Sequence, residues 1–362
     1  MNCCYICNDL LNGSNISVEH IIPNSLGGRL KSKKLLCIKC NNSLGNEIDS
    51  ELGNQFNVFM NFFMLKREKG KYNSIKGKTE NGEEFILDGI DIRSKPKIMV
   101  DNIQKTVRFK GNDEKELKIY LKGILKKYPH LDIEEIINTT NKGKYYLNDP
   151  ININMNFGGE KTFRAISKIL VNYYLYSGGE ISYIAKFIDY IKGEVKAKKI
   201  WFNQEFKHSD LLVTEDNVYH FIKIIGNSTE NILYAYIELF GTFKAIALLN
   251  DNYDGENIDY QYFFNILKNK EIKTDIKINY TSTDVNSILD VKDSIYLTNK
   301  FNESLSSTLK VFQQIQLKAI VKKLIKESFN KFVKNNQEEI TKEQLKQITN
   351  DVNHSIEVLI LL

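Results

Sequence analysis

Residues 18–42, VEHIIPNSLGGRLKSKKLLCIKCNN, place a carboxylate (Glu19) beside an imidazole (His20), then two glycines (Gly27, Gly28), a thiol pair (Cys37-x2-Cys40) and a carboxamide (Asn41). Upstream, Cys4-x2-Cys7 repeats the cysteine spacing. Two such pairs supply four soft thiolates in two knuckles, the arrangement that wraps a tetrahedral Zn²⁺. Cys3 is an alternative to Cys4 as a ligand, although two intervening residues make the better loop. A four-thiolate site has no vacancy for a substrate, so this zinc would be structural. Around the cysteines the text is loop-rich, with NGSN, NSLGG and NNSLGN as turn signals between short apolar runs. This describes a small module that cannot pack a large core, and a structural zinc, worth about 10 to 16 kcal/mol in zinc-finger peptides, would hold it together.

The whole chain, at 362 residues, has room for two or three domains. Apolar residues make up 42% and charged residues 26%, an ordinary soluble composition. No apolar run approaches the roughly 18 residues of a membrane span, so a membrane partner is not expected. The opening MNCCYICNDLLNG lacks the basic and apolar regions of a signal peptide, which predicts a cytoplasmic protein. In that compartment five cysteines clustered within residues 3–40 point to metal rather than disulfides. With 50 basic residues against 45 acidic ones, the net charge of +5 favours polyanions only weakly, and its distribution matters more than its total.

Beyond the cysteine segment, Asn81-Gly82 between strand-like runs predicts a hairpin, and PKIMVDNIQKTVRFKG continues the β signal. Asp113 and Glu116 fit a capping box ahead of Leu117, Leu121, Ile124 and Tyr128 at helical spacing before Pro129. A second helix, KTFRAISKILVNYYLYSGG, turns Phe163, Ile166, Ile169, Leu170 and Tyr173 inward and stops at Gly178-Gly179. Val218 to Leu249 reads as consecutive strands with turns at Gly226-Asn227 and Gly241. From Ser304 onward two helices are expected, parted near KNNQEE, the second capped by Thr341 and Gln344. The domain reading is a module at 1–60, a linker with hairpin and helix at 61–150, and a mixed domain at 151–362. His130, His208, His220 and His354 have no partner cluster and read as core or surface histidines.

EHIIP, LGG and LLCIKCNN together resemble the HNH endonucleases, in the order and spacing of that family's ββα-metal motif. The resemblance covers residues 1–55. It implies a small zinc-bound ββα-metal module; with the strand and helix patterns read further along, the expectation is an α+β protein, that module followed by a larger mixed α/β region with a helical C-terminus. It further implies His20 as the general base that deprotonates the attacking water, with Glu19 and Asn41 holding a catalytic divalent ion. Hard oxygen ligands of this kind favour Mg²⁺ or Mn²⁺. Two departures stand out: Ser32, Lys33 or Lys34 occupies the place of the family's middle Asn, and Leu44 that of a frequent Lys. Asn24 is a candidate to replace the middle Asn's restraint on the loop.

Arg29, Lys31, Lys33, Lys34 and Lys39 within the motif, and Lys66, Arg67, Lys69 and Lys71 just after it, suit a phosphate backbone. The expected function is DNA phosphodiester hydrolysis in a restriction or phage-defence setting. RNA is an alternative substrate, and a zinc-stabilised nucleic-acid-binding module that does not cut is an alternative class. Since one such motif holds one water, one base and one ion, a homodimer formed through the C-terminal region is also expected.

Overall fold

The structure is a computed structural model that describes residues 3–68, 70–101, 106–126, 132–139, 147, 149–196, 199–203, 211–291, 294–333 and 339–360. The chain opens with β1 (Glu19–His20), β2 (Lys31–Ser32), α1 (Ile38–Leu44) and α2 (Ser50–Phe62). Five strands follow, β3 (Ile75–Lys78), β4 (Glu84–Asp88), β5 (Asp91–Ser94), β6 (Lys97–Asp101) and β7 (Thr106–Lys110), then α3 (Glu114–Leu125) and α4 (Ile133–Thr139). Next come α5 (Glu160–Tyr176), α6 (Ala185–Lys192), β8 (Ile200–Phe202), β9 (Tyr219–Asn227), β10 (Ile232–Leu239), β11 (Phe243–Asn250), β12 (Ile258–Asn265) and β13 (Lys270–Glu271). Three helices close it: α7 (Ser282–Asp290), α8 (Ser294–Phe332) and α9 (Lys342–Ile360).

Two compact units result, Met1–Tyr72 with Met155–Lys318, and Asn73–Asn154 with Ala319–Leu362. These boundaries run differently from the division at 60 and 150 read in the sequence, because the cysteine segment shares its core with residues far along the chain. In the first unit the sheet is antiparallel, in the order β13-β12-β9-β10-β11-β8. The consecutive strands expected between Val218 and Leu249 are β9, β10 and β11. Gly226 and Asn227 lie inside β9 rather than in the turn. A Cβ at Gly226 would come within 2.7 Å of the Tyr253 ring, so close packing, not turning, is what its glycine serves. The turn after β10 does contain Gly241, at φ 63°, next to Phe240 at φ 56°.

Every residue of β10 is buried. Tyr219, Phe221, Tyr234, Tyr236 and Phe263 pack into one cluster with Ile276, Ile278, Val285 and Leu289. Phe240, a bulky residue in the left-handed region, is held there by stacking on Phe56 (5.9 Å between ring centroids) and Phe59 (5.1 Å) of α2. Phe56 also meets Phe243 edge-on at 5.2 Å. The cysteine segment thus packs its helix into the core of the sheet, where the sequence suggested a module standing on zinc alone.

In the second unit β3, β4 and β5 form a three-stranded sheet, and β6 pairs with β7. Gly82, at φ 79°, lies in the expected turn between β3 and β4. Asp113 caps α3 by accepting the Glu116 N–H at 2.8 Å, while Glu116 reaches back to the N–H of Asn112. Thr341 and Gln344 cap α9 reciprocally, as expected. Helix α8 starts at Ser294, earlier than the Ser304 expected. Lys69, Tyr128, Pro129, His130, His208 and most of KNNQEE lie outside the described residues. Among those described, no helix is long and apolar enough to cross a membrane.

Candidate functional site

Cys4 and Cys7 lie on a turn closed by Asn8 N–H donating to the Cys4 carbonyl at 2.8 Å, with Asn8 at φ 60°. Cys37 is the N-cap of α1, where its sulfur accepts the Cys40 N–H at 3.4 Å. The Sγ atoms of Cys4, Cys7, Cys37 and Cys40 all lie within 4.8 Å of one another, and those of Cys7 and Cys37 are 3.8 Å apart. A tetrahedron with Zn–S bonds of about 2.3 Å has edges of about 3.8 Å, so the cluster can hold zinc. Cys3 instead pairs its backbone with Leu10. Burial pushes the Cys40 thiol up and Cys7 up to about 11, while N–H and S–H donors overcome burial at Cys37 and lower it. Burial thus opposes ionisation of Cys7 and Cys40, which a bound cation would favour.

Between the two knuckles β1 pairs antiparallel with β2, Glu19 opposite Ser32 and His20 opposite Lys31. The two-residue period of a strand sends Glu19 and His20 to opposite faces. On the outer face, His20 Nε2 is 3.2 Å from Glu68 Oε2, and the same carboxylate pairs with Lys31. The loop joining the strands is fixed by its glycines: Gly27 sits at φ 84°, and a Cβ on Gly28 would strike the Ile22 carbonyl oxygen at 1.9 Å. Asn24 Oδ1 accepts the Glu68 N–H at 2.8 Å, so Asn24 does restrain this region, through the residue that holds His20.

Residues 4–57 match the family model for HNH endonucleases. The match spans the cysteine cluster, β1, β2, α1 and most of α2, and the family is one of metal-dependent nucleases acting on nucleic acid. A search of curated proteins and a search of solved structures each return no match.

The inner face of the HNH segment is bound to α5. Glu19 is 5% exposed, and its Oε1 meets Lys168 Nζ at 2.7 Å and Asn172 Nδ2 at 2.9 Å. Lys168 also bonds Asp49 at 2.5 Å, Asn172 accepts the Tyr5 hydroxyl at 2.8 Å, and Arg164 bonds Glu47 at 2.7 Å. A π-helical turn, Gly45–Asp49, between α1 and α2 carries both of those carboxylates. Burial opposes the Lys168 charge, yet Asp49 and Glu19 outweigh it and hold the ammonium above the usual lysine range. Burial likewise pushes the Glu19 carboxyl up, with Lys168 pulling it back. The α5 partners in these contacts lie outside the matched segment. Their signal was present as Arg164, Lys168 and Asn172 at spacing four, a pattern that ordinarily marks a solvated helix face.

The other expected site residues fall in three settings. Asn41 donates through Nδ2 to Ser17 Oγ at 2.5 Å, which leaves its carboxamide oxygen to accept or coordinate. Arg29 is committed to the protein itself, with its guanidinium on Asn269 Oδ1, the Lys66 carbonyl and Asn24. Arg67 reaches Asn57 at 3.5 Å. Lys33, Lys34, Lys39 and Lys66 are exposed. His220 is fully buried, with Nε2 on the Leu26 carbonyl at 2.9 Å and Nδ1 accepting the Phe240 N–H, while His354 is exposed. For a divalent ion the hard oxygens of Glu19 and Asn41 are the right donor type, with the Lys168 ammonium already beside one of them.

Proposed function

We propose that this protein is a metal-dependent endonuclease that hydrolyses phosphodiester bonds in DNA, with His20 as the general base. The observation that carries the reading is the contact between His20 and Glu68. A carboxylate at Nε2 selects the tautomer with its proton there and leaves the Nδ1 lone pair to take a proton from water. Among the described residues no hydrogen bond occupies Nδ1. Burial lowers the His20 pKa more than Glu68 raises it, so the ring is neutral near pH 7 and able to act as a base.

Asn41, whose carboxamide oxygen is unengaged among the described residues, would hold Mg²⁺ or Mn²⁺, with Glu19 joining it only by exchanging the Lys168 ammonium for the cation; such an ion when bound stabilises charge on the leaving 3′ oxygen. Cys4, Cys7, Cys37 and Cys40 would hold a structural zinc that fixes β1 against α1. Lys33, Lys34, Lys39 and Lys66 supply positive charge to the phosphate backbone. One centre hydrolyses one strand per encounter, so a double-strand break takes two copies or two visits. The test is incubation of purified protein with supercoiled plasmid, with and without Mg²⁺ or Mn²⁺. Divalent-dependent nicked circles are expected, and intact plasmid under all conditions would contradict the reading.

A further inference from the structure

Arg164, Lys168, Asn172 and Tyr176 stand four residues apart on α5 and so share one face of it. The first three are bonded to the HNH segment. The fourth is the last residue of the helix and is 47% exposed. With Leu175 it faces Lys31, Lys33 and Lys34 across a cavity of about 320 Å³. Among the described residues no other ring packs on Tyr176, and neither Lys33 nor Lys34 has an ion-pair partner. The Lys34 N–H donates to Ser32 Oγ at 3.1 Å, and Leu35 and Leu36 are buried, so the lysines stand on an anchored turn. Lys31, one of the cavity's lining residues, is the ladder partner of His20, so the cavity borders the strand paired with the one that carries the candidate base.

We propose that this cavity is a nucleotide subsite in which an unpaired base stacks on Tyr176 while Lys33 and Lys34 hold the flanking phosphates. The inference deepens the endonuclease reading and rests on it: the favoured substrate is DNA with an unpaired nucleotide beside the scissile phosphate. In a continuous duplex each base face is covered by its neighbours, so only an unpaired base can present one to the phenol. An exposed ring next to basic side chains is the combination that binds single strands without regard to sequence. The bonds of Lys168 and Asn172 to Glu19 fix the helix that carries the ring relative to β1.

Binding is measured on the His20→Ala protein without added divalent ion, using a single-stranded oligonucleotide bearing a fluorescent purine analogue and a blunt duplex of the same length. Adding Tyr176→Ala should weaken single-strand binding about 5- to 150-fold, the worth of one base–aromatic stack, and abolish quenching of the analogue, with duplex affinity and melting temperature unchanged. Tyr176→Trp should restore both binding and quenching. Equal single-strand binding by the Tyr176→Ala protein, or equal weakening on both oligonucleotides, would overturn the subsite and leave the endonuclease reading standing. A parent protein that bound neither oligonucleotide would overturn both.

Discussion

Strands β1 and β2 have two residues each, whereas β9, β10 and β11 have eight or nine and are almost entirely buried. The short pair carries the candidate chemistry, and the long strands carry none of it. The contrast shows how a segment with too little core of its own can present a rigid centre. Four thiols close one end of it. Its other end is held by the sheet, where Phe240 stacks on α2 and His220 bonds the Leu26 carbonyl of the glycine loop. Helix α5 locks the inner face of β1 through Lys168 and Asn172. Anchoring by α5 is thus concentrated on the face of β1 that carries Glu19, while His20 lies on the other face.

Removing the zinc should break this division most severely, since such sites are worth about 10 to 16 kcal/mol in isolated zinc peptides. Metal analysis should find one zinc per wild-type chain and none in Cys40→Ser, with hydrogen-exchange protection lost from β1 to α1 but kept in β9 to β11. A zinc-free wild type with protected β1 amides would show that packing alone holds the segment. Next in size is Lys168→Met, which leaves Glu19 and Asp49 buried without their counter-ion and should cost about 3 to 5 kcal/mol in denaturant unfolding. A loss below about 1 kcal/mol would mean that α5 does not anchor β1.

The smallest effect sharpens the sheet's side of the contrast. Burial lowers the His220 pKa to about 4, below the ordinary 6.5, against the pull of its bond to the Leu26 carbonyl, and only the neutral ring can accept the Phe240 N–H. A depressed pKa contributes stability that is fully present above 6.5 and is lost as pH falls from there towards 4. The loss is on the order of 3 kcal/mol. Unfolding free energies measured across that range should show this slope in the wild type and lack it in His220→Gln. An identical pH dependence in both proteins would contradict the buried neutral ring.

The cysteine cluster and the glycine loop of the first 60 residues were legible because their positions are fixed by local spacing. Cys4, Cys7, Cys37 and Cys40 converge as their knuckles required, and Gly28 is glycine because the Ile22 backbone passes against it. The strands from β9 to β11 were legible because β-branched and aromatic residues ran without interruption. What could not be read was long-range. Glu19 meets Lys168 only through tertiary packing, and a lysine within a helix ordinarily reads as solvated. Glu68, which no local motif singles out, is the partner of His20. Arg29 shows the reverse case, a cation that suited phosphate in sequence and is spent on Asn269 and a carbonyl.

The central claim is that His20 moves a proton while zinc, sheet and the Lys168 and Asn172 bonds of α5 hold its strand in place. His20→Ala is the most direct test. Plasmid nicking should fall by about two to four orders of magnitude, the usual worth of general-base catalysis. Zinc content, melting temperature and DNA affinity should remain those of the wild type, because the side chain is only partly buried and its hydrogen bond among the described residues is to an exposed carboxylate. Nicking at the wild-type rate by a zinc-loaded, folded His20→Ala protein would contradict the account.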